Sequence, residues 1–199
     1  MIIGITGSSG SGKSTVCRII EENYHVKIIN ADDVARELSK KGTDYLNCIA
    51  QQFGSDILYE TGELNRYKLS EIIYNDDIKR EELNRCTLPY IVREIKNEIQ
   101  LSKQETVIID APLLFESGLN EICNVVIGII SKKDIQIDRI IRRENITCEQ
   151  AKKRIKAQQS NDFYIKNCND IIENDNDFSS IKEKIKNIAK KYKLKEKSQ

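Results

Sequence analysis

The chain has 199 residues, a formal net charge of +1, and 39% hydrophobic and 32% charged residues. That length supports one α/β domain with room for an inserted subdomain, and it needs neither a disulfide framework nor a structural metal to stay folded. Near-neutral charge argues against general affinity for nucleic acid or acidic membranes, and no apolar run approaches the roughly 18 residues of a membrane span.

The first strand-like run is Ile2 to Thr6, with no basic leader ahead of it, so a cytosolic protein is expected. Six cysteines lie far apart with no C-x-x-C pair, which points to reduced thiols rather than disulfides or a zinc site. Further strand-like runs fall at Val26 to Asn30, Thr106 to Asp110, Val125 to Ile130 and Asp170 to Glu173, the last of them weak. Helical patterns fill the gaps. This alternation predicts an α/β fold, a mostly parallel five-stranded sheet flanked by helices.

The stretch 33–103 has no convincing strand and is too long for an ordinary crossover. It reads as a helical insertion broken at Gly42, at the turn Glu60 to Glu63 and at Pro89, and suited to holding a second substrate. Residues 1–32 and 104–199 then form the core. A second helical pair, about Lys133 to Asn145 and Thr147 to Gln159, is rich in Arg and Lys. From Ile181 onward, Ile185, Ile188, Ala189 and Tyr192 mark one helical face, and the lysine-rich end is expected to be solvated and frayed.

Residues Gly7 to Ser14 spell G-x-x-x-x-G-K-S between the first strand and an amphipathic helix. Glycines let the backbone curl until successive N–H groups point at phosphate oxygens. Lys13 brings a point charge to the β- and γ-phosphates, and the Ser14 hydroxyl suits Mg²⁺. Gly10, Ser11, Gly12, Lys13, Ser14 and Thr15 are therefore the expected nucleotide-binding residues, with ATP and Mg²⁺ as cofactors. A GTPase switch is disfavoured. Asp110-Ala111-Pro112-Leu113 lacks the glycine of the Asp-x-x-Gly switch, and Ser131-Lys132-Lys133-Asp134 has Ser where a guanine-reading motif has Asn or Thr.

A small-metabolite kinase needs an acceptor pocket, a base and cations that close over the transferring group. Asp32 and Asp33 stand at the end of the second strand, where ligands meet an open α/β sheet. There they either cap the next helix or face the phosphate loop. Asp110 ends an apolar strand, where it either holds a magnesium-bound water or caps the following turn. Arg139 and Arg143, four apart, share a helix face and either reach the phosphates together or pair with Asp138 and Glu144.

The ordered series Gly10 to Thr15, Asn30-Ala31-Asp32-x-x-Ala35-Arg36-Glu37, Phe53-Gly54, Gly62-x-Leu64-x-Arg66, Pro112-Leu113-Leu114-Phe115-Glu116 and Gln136-x-x-Arg139-x-x-x-Arg143 resembles the dephospho-coenzyme A kinase family. The resemblance runs from about Ile2 to Asn174. It implies a P-loop nucleotide core, a helical acceptor domain and a lid at about 133–160. It also implies phosphoryl transfer from ATP to the ribose 3′-hydroxyl of dephospho-coenzyme A. From charge and hydropathy no nucleic-acid or membrane partner is expected, and a monomer is the favoured state. On the resemblance, Asp32 takes the place of the family's base, Lys13, Arg139 and Arg143 the other catalytic positions, and Arg36, Arg66, Leu88 and Pro112 the acceptor site. Gln158 and Asn174 match recurring polar positions without a role the sequence defines. Two departures stand out: Asn30 and Leu88, where the family reads Asp and His. A nucleoside or nucleotide monophosphate kinase is the alternative enzyme, and a nucleotide-dependent switch the alternative that is not one.

Overall fold

In the computed structural model, which describes residues 1–175 and 178–197, five apolar runs become five parallel strands: β1 (Ile2–Thr6), β2 (Lys27–Asn30), β3 (Val107–Asp110), β4 (Val125–Ile130) and β5 (Asp170–Glu173). Their order across the sheet is β2-β3-β1-β4-β5. β1 sits centrally, with the chain turning first to one side and then to the other. Loops at the carboxyl ends of β1, β3 and β4 thus gather where an open parallel sheet receives ligands. The middles of the strands are apolar instead of alternating because both faces are covered; every residue of β3 is buried.

The helices are α1 (Lys13–Asn23), α2 (Ala31–Leu38), α3 (Asp44–Phe53), α4 (Arg66–Asn75), α5 (Asp77–Leu101), α6 (Lys133–Glu144), α7 (Cys148–Lys156), α8 (Asn161–Asn167) and α9 (Phe178–Lys191). α1 buries Val16, Ile19 and Ile20, and α9 buries Ile181, Ile185, Ile188 and Ala189, both against Ile3, Ile5, Ile127 and Ile129 of the sheet. Spacings of three and four put these residues on one stripe of each helix. None of the helices among the described residues is long and apolar enough to cross a membrane.

The chain divides into two compact units, Met1–Asn30 with Leu101–Gln199, and Ala31–Gln100. The second unit is helical. Thr43 caps α3 by accepting from the Leu46 N–H at 3.2 Å, and Asn65 caps α4 by accepting from Lys68 at 3.0 Å. Tyr45, Leu46, Ile49, Leu69 and Ile91 are buried, and the Tyr45 ring meets Tyr90 edge-on at 6.1 Å.

Two expectations are corrected. Pro89 does not break the helix but lies inside α5, which runs unbroken for 25 residues. Its missing N–H costs one intrahelical bond. Buried Thr87, Ile91 and Ile95 anchor the helix on both sides of it, and the Cys86 carbonyl in that turn accepts from the Cys48 thiol at 3.5 Å. The lysine-rich end is not frayed as far as Lys197. Glu196 bridges antiparallel to Tyr24, His25 N–H donates to Lys195 O at 2.8 Å and Lys197 N–H to Asn23 O at 2.8 Å. Residues 198–199 lie outside the described part.

Candidate active site

The loop after β1 owes its shape to two glycines in left-handed backbone, Gly10 (φ 75°) and Gly12 (φ 89°). Both also need to lack a side chain for want of space. A Cβ on Gly10 would stand 2.5 Å from the Gln136 carbonyl oxygen, and one on Gly12 would stand 1.8 Å from Asn174 Nδ2. The turn closes through Ser11 N–H to Ser8 O at 3.1 Å, and α1 starts with Thr15 and Val16 donating to Gly12 O at 3.0 and 3.2 Å. Gly12, Lys13 and Ser14 therefore open α1, where the first N–H groups lack partners within the helix and the dipole favours an anion. The Ser11 hydroxyl is fully buried without a hydrogen-bond partner, and Ser14 is exposed.

Lys13 is 9% exposed and Asp110 1%, and the two form an ion pair. Parallel register sets Asp110 opposite both Ile5 of β1 and Asn30 of β2, so Asn30 Nδ2 donates to its second oxygen at 2.9 Å. The Cys17 thiol is buried near Asp110; burial, and then the negative charge of Asp110, raise its pKa and keep it protonated. One buried carboxylate thus takes a donor on each oxygen, Lys13 on one and Asn30 on the other. Asn30, which directly precedes α2, is likewise occupied with Asp110. Neither Asp32 nor Asp33 is the cap, since both lie within the first turn of α2. Asp32 is exposed there, and Asp33 pairs with Arg36 at 2.8 Å.

The loop is backed by side chains from three other elements. Gln158 grips Ser9, accepting from its N–H at 2.7 Å and donating to its Oγ at 3.2 Å. Arg139 donates to the carbonyls of Gly10 and Ser11 at 3.1 and 3.3 Å and to Asn174 O at 2.9 Å. Asn174 Nδ2 donates to Ser11 O at 2.8 Å. Ser131, at the end of β4, accepts through its carbonyl from Gln136 and Asn161 at 2.9 and 3.0 Å, and its hydroxyl donates to Asp175 at 2.8 Å. Burial opposes ionisation of Asp175, but hydrogen bonds from the Lys132 N–H and the Ser131 hydroxyl outweigh it and lower its pKa.

Arg139 therefore sits at the loop, on its carbonyl side, while Arg143 is exposed and donates to Glu144 at 2.7 Å; Glu144 is also paired with Arg154. Pro112 is half-buried, and its carbonyl accepts from Thr6 Oγ1 at 3.3 Å. In the helical unit Arg66 donates to the buried Ser39 hydroxyl, which donates to Arg36 O at 2.8 Å, and Leu88 is half-buried on α5. Sequence reasoning missed Ser131 and Asp175, and it left Gln158 and Asn174 without roles. Their one visible signal was place: Ser131 and Asn174 follow apolar strands at the sheet edge that carries the loop.

A five-stranded parallel sheet with a lysine-bearing phosphate loop after its central strand, and a buried carboxylate on the neighbouring strand, defines a P-loop phosphotransferase. A family model for dephospho-CoA kinase matches residues 1–180. The chain is 34% identical over 197 residues to the dephospho-CoA kinase of Bacillus cereus, covering 98% of each, and 36% identical over 189 residues to that of Fusobacterium nucleatum, covering 95% of this chain and 97% of the relative. The solved dephospho-CoA kinase from Campylobacter jejuni superposes with a TM-score of 0.68 at 27% identity, covering 96% of both chains. The chain belongs to the dephospho-CoA kinase family and is an ATP-dependent kinase.

Proposed function

We propose that the chain transfers the γ-phosphoryl group of Mg²⁺-ATP to the ribose 3′-hydroxyl of dephospho-coenzyme A, forming coenzyme A. The observation that carries the nucleotide half is the buried Lys13–Asp110 pair beside a loop that opens α1 at Gly12 with no side chain capping its first amides. A bound triphosphate would take Lys13 from Asp110 as its counter-charge, and the freed carboxylate would then be able to orient water around a cation. Ser14 hydroxyl and Asp110 fit Mg²⁺, which tolerates few protein ligands and takes its remaining oxygens from phosphate and water. When bound, Mg²⁺ neutralises charge on the transferring group.

Asp32 accepts or orients the 3′-hydroxyl proton. It lies two residues along the chain from Asn30, which holds Asp110. Arg36, Arg66 and Leu88 belong to the helical unit at 31–100, which we assign to the acceptor together with Pro112, which follows β3. Arg139 steadies the loop and its charge; Arg143, on the α6–α7 pair that we read as the lid, is a second cation for the phosphates. The six free thiols support a reducing compartment, and we read the protein as a cytosolic monomer.

The test is a transfer assay with radiolabelled ATP, Mg²⁺ and a panel of acceptors. Dephospho-coenzyme A should be phosphorylated far faster than any nucleoside or nucleoside monophosphate. Faster turnover of a monophosphate would overturn the acceptor assignment, and transfer to none would mark a nucleotide switch.

A further inference from the structure

We infer that Asn174 is a positioning residue for the nucleotide: its side-chain amide fixes the Ser11–Gly12 peptide so that the Gly12 N–H points at the bound phosphate. The inference rests on reading residues 7–14 as the nucleotide loop, and nothing in the resemblance assigns Asn174 a role.

A trans peptide holds its C=O and N–H on opposite sides, so fixing one aims the other. Ser11 O accepts from Asn174 Nδ2 at 2.8 Å and more weakly from Arg139 Nη1 at 3.3 Å. The preceding peptide is held without Asn174, by Ser11 N–H to Ser8 O at 3.1 Å and Arg139 Nη1 to Gly10 O at 3.1 Å. The Ser11–Gly12 plane depends most on Asn174. It is also the plane most prone to turn over, because Gly12 carries no Cβ to bar rotation on its side. A flipped plane would present a carbonyl oxygen to the phosphate instead of an N–H.

Asn174 is itself prearranged for this task. It follows β5 directly and is 2% exposed. Its N–H donates to Ile130 O at 2.8 Å, and its carbonyl accepts from Arg139 Nη2 at 2.9 Å. With the backbone fixed on both sides, the amide is delivered against Gly12, in the space a side chain at position 12 would need. Gly12 thus lacks a side chain partly to admit Asn174.

Two variants and a control measurement test this. Asn174→Ala removes the donor, and isosteric Asn174→Asp places an oxygen against Ser11 O, which favours the flipped plane. Asn174→Ala should raise the KM for ATP about tenfold, in keeping with one lost hydrogen bond to a charged group. Asn174→Asp should raise it further, with the KM for the acceptor within about twofold of wild type for both. In amide NMR, ADP should shift the Gly12 N–H of wild type strongly and that of Asn174→Asp weakly. Unchanged KM for ATP in both variants, or both KM values rising together with a fallen melting temperature, would overturn the inference and leave Asn174 as a packing residue. If Asn174→Ala does not fold, the Asp variant decides by the same split. Failure of wild type to bind ADP would instead refute the nucleotide loop itself.

Discussion

Asp110→Asn isolates the charge balance at the base of the phosphate loop. The wild-type carboxylate is almost fully buried and receives Lys13 and Asn30. Asn keeps the shape but removes the charge, and it replaces one acceptor with a donor that faces other donors. Removing one partner of a buried ion pair costs about 3–5 kcal/mol, because the remaining charge stays desolvated. For a protein of this size each kcal/mol lowers the melting temperature by roughly 2–4 °C, so the ligand-free variant should melt roughly 6–20 °C lower. ATP in EDTA supplies Lys13 with a new counter-ion without engaging any metal. In wild type that gain is partly offset by separating Lys13 from Asp110, whereas the variant has no such pair to break. Thermal unfolding with and without ATP should therefore show a larger ATP-induced rise for Asp110→Asn than for wild type. Equal melting temperatures without ligand, or a smaller rise in the variant, would refute the buried pair as the resting partner of Lys13.

Two further outcomes are expected. Asp32→Asn should lower turnover by roughly 10²–10⁴, the usual worth of a positioned general base, with melting temperature unchanged. Asp33→Asn, which weakens an exposed pair with Arg36, should keep most activity; a larger loss at Asp33 would reverse the assignment. Gly4→Ala tests the Pro-Leu-Leu-Phe-Glu block as packing, since a Cβ on Gly4 would stand 2.7 Å from Leu114 Cδ2 and 2.9 Å from Cys123 Sγ. It should destabilise by about 1–3 kcal/mol, seen in urea unfolding, and no change would mean Leu114 yields freely.

The five strands were legible because a parallel strand covered on both faces is a short run with an apolar middle, and the weakest, β5, is bounded on both sides by acidic residues, Asp170 and Glu173. The phosphate loop was legible because its chemistry fixes residue types at fixed spacing. Pro89 misled for a local reason. A proline's cost is read from sequence, whereas the burial of Thr87, Ile91 and Ile95 that holds α5 together is not. The backing of the loop was equally hidden. Gln158 lies 149 residues from Ser9 and Asn174 lies 163 from Ser11, and no periodicity links a polar residue to a carbonyl that far away. Arg139 shows the same limit in another form. Its spacing from Arg143 put both on one helix face, but only the fold shows that the two end in different surroundings.

The Asn30 departure follows from the same geometry. Its amide donates to Asp110 at 2.9 Å, a bond that an ionised Asp at this position cannot make. In Asn30→Asp two carboxylates would face each other across the β2–β3 register, and each would disfavour ionisation of the other. The pair would then hold one proton with a pKa raised above its value in the unfolded chain. Stability gained from that proton is present at low pH and lost as pH rises through the raised pKa. Asn30→Asp should accordingly melt closer to wild type at pH 5 than at pH 8. Mg²⁺ should restore its melting temperature at pH 8, since a divalent cation substitutes for the shared proton between two carboxylates. Wild type, with a neutral amide at position 30, should show neither the Mg²⁺ response nor the added slope in the absence of nucleotide. A variant whose melting temperature runs parallel to wild type from pH 5 to 8, with or without Mg²⁺, would show that the two side chains part when both are charged, and that Asn30 is not what holds Asp110 against Lys13.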